Sequence, residues 1–165
     1  MSFAAKKGTK LNVHSFPRPP ALELCRRHLV VKLNGRTIAD CPSGAYWVLE
    51  THHVPTYYIP PTDIDMTAFK QNARSTYCEW KGSASYYDVH TPQGTISSRC
   101  WTYLKPTERF MPIKGYISFY ADPFECFVDG ERVVPQPGDF YGGWMTQDMD
   151  GGPQGVKGPP GTQGW

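Results

Sequence analysis

Apolar and aromatic positions in this chain alternate with polar ones over short runs, and Gly, Pro, Asn or Asp closes nearly every run. Residues 28–33 and 36–40 flank Asn34-Gly35, and residues 124–128 and 131–134 flank Asp129-Gly130. A two-residue Asn-Gly or Asp-Gly between apolar runs predicts a tight hairpin, because both central residues must take positive φ. Leu33-Asn34-Gly35-Arg36-Thr37-Ile38 and Val128-Asp129-Gly130-Glu131-Arg132-Val133 are alike. The likeness suits either pseudo-symmetric halves or two turns that resemble each other by chance.

Residues 46–50, 56–59, 83–89, 95–104 and 115–120 are rich in aromatic and β-branched side chains and read as further strands, with the turn 91–94 joining two of them. One short helix is expected from Thr62 or Asp63, capped by Asp63 or Asp65 and carrying Met66, Ala68 and Phe69. Many brief strands with one helix predict a mainly β domain, a compact antiparallel β-barrel or sandwich, over residues 27–137. Residues 1–26 hold Pro17, Pro19 and Pro20 and read as an extended N-terminal arm, with room for one helical turn behind Pro20. Residues 138–165 form a Gly/Pro-rich C-terminal arm in which Gly152, Gly155, Gly158, Gly161 and Gly164 recur every third position. That is the collagen period over too few triplets for a triple helix, so an extended arm lying over the body, anchored by Trp165, is expected.

Composition agrees with strands. Aromatic residues make up 14% of the 165 residues and charged residues 19%, so rings rather than ion pairs should dominate packing. A net charge of +2 offers no broad basic field, which disfavours duplex nucleic acid as a partner; the run of Lys6, Lys7 and Lys10 reads as a solvated terminus. Five widely spaced cysteines and no apolar leader at the start point to a reducing, cytoplasmic setting, and no run is apolar enough to span a membrane.

The densest chemistry lies in residues 76–89, which gather Cys78, Lys81 and several rings around Gly82. On an extended strand Ala84, Tyr86 and Asp88 share one face and Ser85, Tyr87 and Val89 the other, so one tyrosine faces inward. Trp101 and Tyr103 share a face of the next strand and can complete an aromatic wall, which equally describes ordinary β-core. Lys81 can neutralise a phosphate or carboxylate, become a nucleophile if burial lowers its pKa, or sit solvated. Cys78 as a nucleophile needs a base, for which His52 and His53 are candidates facing opposite sides; a buried, inert thiol is the alternative. If the segment is extended, Cys78 and Lys81 point apart. Neighbouring histidines without a Cys-x-x-Cys make a metal site unexpected. Glu50 reads as a structural acceptor or a general base, and the run Tyr57-Tyr58-Ile59-Pro60-Pro61 as an edge strand or a ligand platform. No phosphate loop, dinucleotide fingerprint or nucleophile elbow is present, and no particular cofactor is indicated.

Asn34-Gly35-Arg36-Thr37-Ile38-Ala39-Asp40, Leu49-Glu50-Thr51 with Pro55-Thr56-Tyr57-Tyr58-Ile59-Pro60, the run from Thr76 to Tyr87, and Gly115-Tyr116-Ile117-Ser118-Phe119-Tyr120 together resemble the domain-of-unknown-function family number four hundred and twenty-seven. The resemblance spans about residues 28–135, and the tail after Gly138 resembles an extension of fungal members. It implies a small, mainly β protein under a label suggesting nucleotidyl transfer. Glu50, Tyr58, Cys78, Lys81, Gly82, Tyr86 and Tyr116 match its signature positions, without assigned roles. This chain has Glu79-Trp80 where the family often has Pro-Tyr, which sets a negative charge beside Lys81. Nucleotidyl transfer calls for paired carboxylates holding Mg²⁺, and Asp63 with Asp65, the closest acidic pair in the β-rich body, reads better as helix capping.

Three functions fit this sequence. The first is a small-molecule pocket with Tyr58, Tyr86, Trp101 and Tyr116 as walls and Glu50 and Lys81 as polar handles, beside Cys78. The second is an enzyme, by nucleotidyl transfer or by Cys78 thiol chemistry. The third is an assembly module whose terminal arms join a homo-oligomer.

Overall fold

The computed structural model describes residues 10–138, 140–150, 156–159 and 161–162. Its strands are β1 (Leu11–Asn12), β2 (Ala21–Cys25), β3 (Leu29–Leu33), β4 (Arg36–Cys41), β5 (Ala45–Leu49), β6 (Thr56–Tyr58), β7 (Phe69–Cys78), β8 (Gly82–Thr91), β9 (Gly94–Thr102), β10 (Ile117–Phe119), β11 (Glu125–Val128), β12 (Glu131–Arg132), β13 (Val134–Pro135), β14 (Trp144–Met145) and β15 (Met149–Asp150). Short 3-10 turns cover Val13–Ser15, Pro61–Asp63, Met66–Ala68 and Glu108–Ile113.

Both expected hairpins form. Asn34 and Gly35 carry φ of 51° and 78°, and Asp129 and Gly130 carry 48° and 85°, the double positive φ that Asn-Gly and Asp-Gly accept most readily. β3 and β11 pair antiparallel from Leu29↔Val128 to Lys32↔Glu125, giving the strand order β12-β11-β3-β4. The two look-alike hairpins are therefore neighbours, arranged symmetrically about the β3–β11 junction.

The opposing layer is made of two sheets, β2-β5-β6 and β10-β9-β8-β7. Ile59 and Ile117 join them by a reciprocal pair of N–H···O bonds, each 2.9 Å. Alternation then sorts the side chains of this joined layer. Trp47, Leu49, Tyr57, Val89, Cys100, Ile117 and Phe119 enter the main core against β3, β4 and β11, while Val48, Tyr58, Ala84, Tyr86 and Trp101 form a second cluster on the opposite face. Tyr87 packs with the first cluster and Tyr86 lies in the second, so the two tyrosines part as the alternation predicts. The described strands do not close into a barrel; of the two expected architectures, the sandwich is the one present.

Some local expectations change. Ala21–Cys25, read as a possible helical turn within the arm, is a strand paired with β5 from Ala21↔Leu49 to Cys25↔Ala45, because β5 offers an open edge of backbone donors and acceptors. The expected helix shrinks to the 3-10 turn Met66–Ala68, capped by Asp65, whose carboxylate accepts from the Thr67 amide at 3.3 Å; Phe69 then starts β7. Residues 57–58 lie on the edge strand β6 as read, and the following Ile59 bridges that edge to Ile117 of the neighbouring sheet. Part of the Gly/Pro-rich segment is integral to the core, since Trp144 is fully buried and its indole N–H donates to the Phe119 carbonyl at 2.7 Å. Lys6, Lys7, Gly152, Gly155, Gly164 and Trp165 lie outside the described residues. No described helix is long and apolar enough to cross a membrane.

Candidate functional site

The second face of the joined layer bears a cavity of about 840 Å³. Its floor is aromatic. Tyr58 meets Trp101 edge to face at 6.4 Å and Tyr103 at 6.2 Å, and Tyr86 lies opposite Trp101 in the β8–β9 register. Burial above all, reinforced by Tyr58 and other neighbours, holds the Tyr103 hydroxyl firmly protonated. Thr76 Oγ1 lies 2.9 Å from the Tyr86 hydroxyl, and the Arg74 guanidinium stacks 4.6 Å from the Tyr86 ring centroid.

One wall is the turn between β7 and β8. Gly82 there takes φ of +101°, a conformation that a β-carbon would strain, and the turn is fastened by Thr107, whose N–H donates to Lys81 O at 3.0 Å and whose hydroxyl donates to Trp80 O at 2.7 Å. Because residues 79–81 turn rather than extend, Lys81 and Cys78 come to line the same cavity, near enough for the thiol to act on the ammonium. The ammonium also lies 5.9 Å from the ring centroids of Tyr103 and Phe110. Burial works to lower the Lys81 pKa, but Tyr58, Cys78 and Glu50 outweigh it and hold the amine above its ordinary value. That direction keeps Lys81 protonated, the form that pairs with an anion.

The opposite wall is a polar chain. Glu50 Oε2 pairs with Arg18 Nη2 at 3.1 Å and faces His53 Nε2 at 3.8 Å. His53 Nδ1 lies 3.0 Å from Gln136 Nε2, which also donates to the Lys157 carbonyl at 2.7 Å. Burial above all, then the positive charges of Lys157, Arg18 and Lys81, lowers the His53 pKa to about 4. A neutral imidazole with both nitrogens engaged is a poor base for Cys78. His52 faces elsewhere, with its Nδ1 2.8 Å from that of His14. Of the two roles read for Glu50, its carboxylate is seen accepting from Arg18 Nε at 3.2 Å.

The third wall comes from the C-terminal segment. Tyr120 donates its hydroxyl to Phe140 O at 3.0 Å, and Gly142 lies so close to the indole that an added β-carbon would stand 2.1 Å from Trp101. Arg99 stacks 4.0 Å from the Tyr120 centroid, and Lys157 Nζ lies 5.6 Å from that of Tyr141.

Of the residues singled out in the sequence, Glu50, Tyr58, Cys78, Lys81, Tyr86 and Trp101 line this one cavity. Tyr116 does not; it packs on Tyr46 at 5.8 Å beside the floor. Sequence reasoning missed Arg74, Arg99, Gln136 and Lys157. Arg74 lies on a largely exposed strand with no apolar alternation, and Lys157 lies in a Gly-rich stretch. The available signal was Gly142-Gly143 before Trp144, a small-residue pair of the kind that lets backbone approach a ring. Asp63 and Asp65 lie elsewhere: Asp63 sits in the 3-10 turn Pro61–Asp63, and Asp65 pairs with Arg36.

Residues 21–133 match a family described as a domain of unknown function, DUF427, whose short name denotes nucleotidyl transfer. No curated protein matches the chain.

Proposed function

The chain belongs to the DUF427 family, and we propose that its cavity binds a planar aromatic molecule carrying an anionic group. One observation carries this reading: each of four cations at the cavity lies against a ring, Arg74 on Tyr86, Lys81 on Tyr103, Arg99 on Tyr120 and Lys157 on Tyr141. Rings accept a flat ligand face, and partly desolvated cations accept its negative charge. The volume falls within the roughly 300–1,000 Å³ usual for small-molecule sites. The carboxylates lining the cavity are Glu50 and Glu79, and Glu50 is already committed to Arg18. Among the described residues that leaves no carboxylate pair at the cavity placed to hold the Mg²⁺ of nucleotidyl transfer, so binding is the better-supported function. Free thiols throughout suit a reducing, cytoplasmic setting.

Calorimetric titration with 2-naphthoate and 2-naphthyl phosphate tests the reading. Saturable binding that Tyr58→Leu and Trp101→Leu each weaken at least tenfold supports it, and the absence of saturable binding by either anion overturns it.

Thiol chemistry at Cys78 is the second reading, favoured by the half-buried thiol sharing the cavity with the Lys81 ammonium. Nucleophilic turnover lost in Cys78→Ser with the fold retained is its test.

A further inference from the structure

Lys157 lies outside the residues that match the family, yet it lines the same cavity as Lys81, with His53 in the wall between the chain's two contributions. Its backbone is held on both sides. The Lys157 N–H donates to His52 O at 2.7 Å, and its carbonyl accepts from Gln136 Nε2, a side chain only 2% exposed. Gly158, at φ of +142°, presses on Pro137 so closely that a β-carbon would stand 2.0 Å from the Pro137 carbonyl oxygen. These contacts fix the point from which the lysine side chain projects.

Among the described residues, neither Lys157 nor Lys81 forms an ion pair with a carboxylate. Two ammonium groups face one cavity, and the nearby Glu50, which acts on Lys81, is itself paired with Arg18, so the positive potential there is only partly neutralised. His53 lines the cavity with both lysines, and the Tyr141 ring packs 4.7 Å from His53 and 5.6 Å from the Lys157 ammonium.

Resting on the ligand class proposed above, we infer that the ligand's anionic group sits between Lys157 and Lys81 beside His53, so that the C-terminal segment supplies one half of the anion site and the family-matched body the other. Glu50 and Arg18 behind His53, with Tyr141 above it, complete the charged and aromatic surroundings. The site takes a carboxylate or a phosphate on an aromatic body.

Calorimetry on the full chain and its Lys157→Met and Lys81→Met variants tests this with 2-naphthoate, 2-naphthyl phosphate and neutral 2-naphthol. Each variant is expected to bind the anions at least tenfold more weakly and 2-naphthol within twofold of the parent, with Lys157→Arg restoring most of the loss. The tighter of the two anions identifies carboxylate or phosphate as the cognate group. In proton NMR, a bound anion should raise the His53 titration midpoint in the parent and raise it less in Lys157→Met. If the parent binds the anions but Lys157→Met keeps its affinity within twofold, or loses anion and 2-naphthol equally, the two-lysine site is wrong while the cavity reading survives. If the parent binds none of the three probes, both fall.

Discussion

The side-chain nitrogen of Gln136 stands 3.0 Å from Nδ1 of His53 and 2.7 Å from the carbonyl oxygen of Lys157. A carbonyl can only accept, so that atom must be the amide nitrogen, and its second hydrogen points at His53. Nδ1 is then the acceptor, and the imidazole is the Nε2–H tautomer facing Glu50. A residue outside the family-matched segment thus sets the tautomer of one inside it.

The consequence is a pH-dependent stability with a definite sign. Burial first, then Lys157, Arg18 and Lys81, lowers His53 to about 4 from the 6.5 of an ordinary histidine. The unfolded chain therefore takes up this proton before the folded one does. The contribution is complete above about pH 6.5 and is lost as pH falls toward 4. Between pH 7 and pH 5 this group alone should lower the unfolding free energy by about 2 kcal/mol. Urea titrations at the two pH values, with His53→Gln as reference, measure it; the reference should show a drop smaller by that amount.

Thiol reactivity should single out one cysteine of five. Cys25, Cys41, Cys100 and Cys126 are at most 1% exposed, and burial pushes Cys25 and Cys41 up to about 11. Cys78 is only half-buried and opens on the cavity. In the native protein at pH 8 an aromatic disulfide reagent should titrate one thiol quickly, Cys78→Ser should abolish that phase, and denaturant should release all five. A second fast thiol in the native state would contradict the packing.

Trp144 tests whether the C-terminal segment is integral to the fold. Its ring is fully buried beside Tyr57 at 5.1 Å, and its N–H bonds Phe119 O. Trp144→Ala should cost about 3–5 kcal/mol, the usual result of emptying a large aromatic site. Denaturant unfolding followed by far-UV circular dichroism measures this; a loss below about 1 kcal/mol would mean the segment is only draped on the body.

Hairpins were readable because turn chemistry is local: Asn34-Gly35 and Asp129-Gly130 need nothing from the rest of the chain to favour their φ values. The separation of Tyr86 from Tyr87 was readable for a similar reason, since strand period alone assigns opposite faces. β7 was not. Its burial is nearly uniform and shallow, so it has no apolar period, and only pairing with β8 makes it a strand. The meeting of Cys78 with Lys81 was also hidden, because it depends on a turn that Thr107, far along the chain, holds closed. Lys157 and Gln136 enter the cavity through long-range contacts that no local pattern encodes.

The approach of Gly142 to Trp101 makes the third wall of the cavity sensitive to a single methyl group. A β-carbon there would lie 2.1 Å from Cη2 and 2.8 Å from Cζ3 of the indole. The ring has little room to retreat, being packed against Tyr120 at 5.0 Å and Tyr58 at 6.4 Å. Gly142→Ala must therefore lift the segment, stretching the Tyr120 hydroxyl bond to Phe140 O and drawing Tyr141 away from His53. Forcing a methyl into a filled contact costs about 1–3 kcal/mol, and the opened wall should weaken 2-naphthoate binding as well. Gly44→Ala is the control, since a β-carbon there meets its nearest neighbour at 3.9 Å, an ordinary contact. Thermal unfolding and calorimetry on both variants decide the matter: Gly142→Ala should fall in both measurements and Gly44→Ala in neither, whereas equal behaviour would place the segment too loosely to shape the cavity.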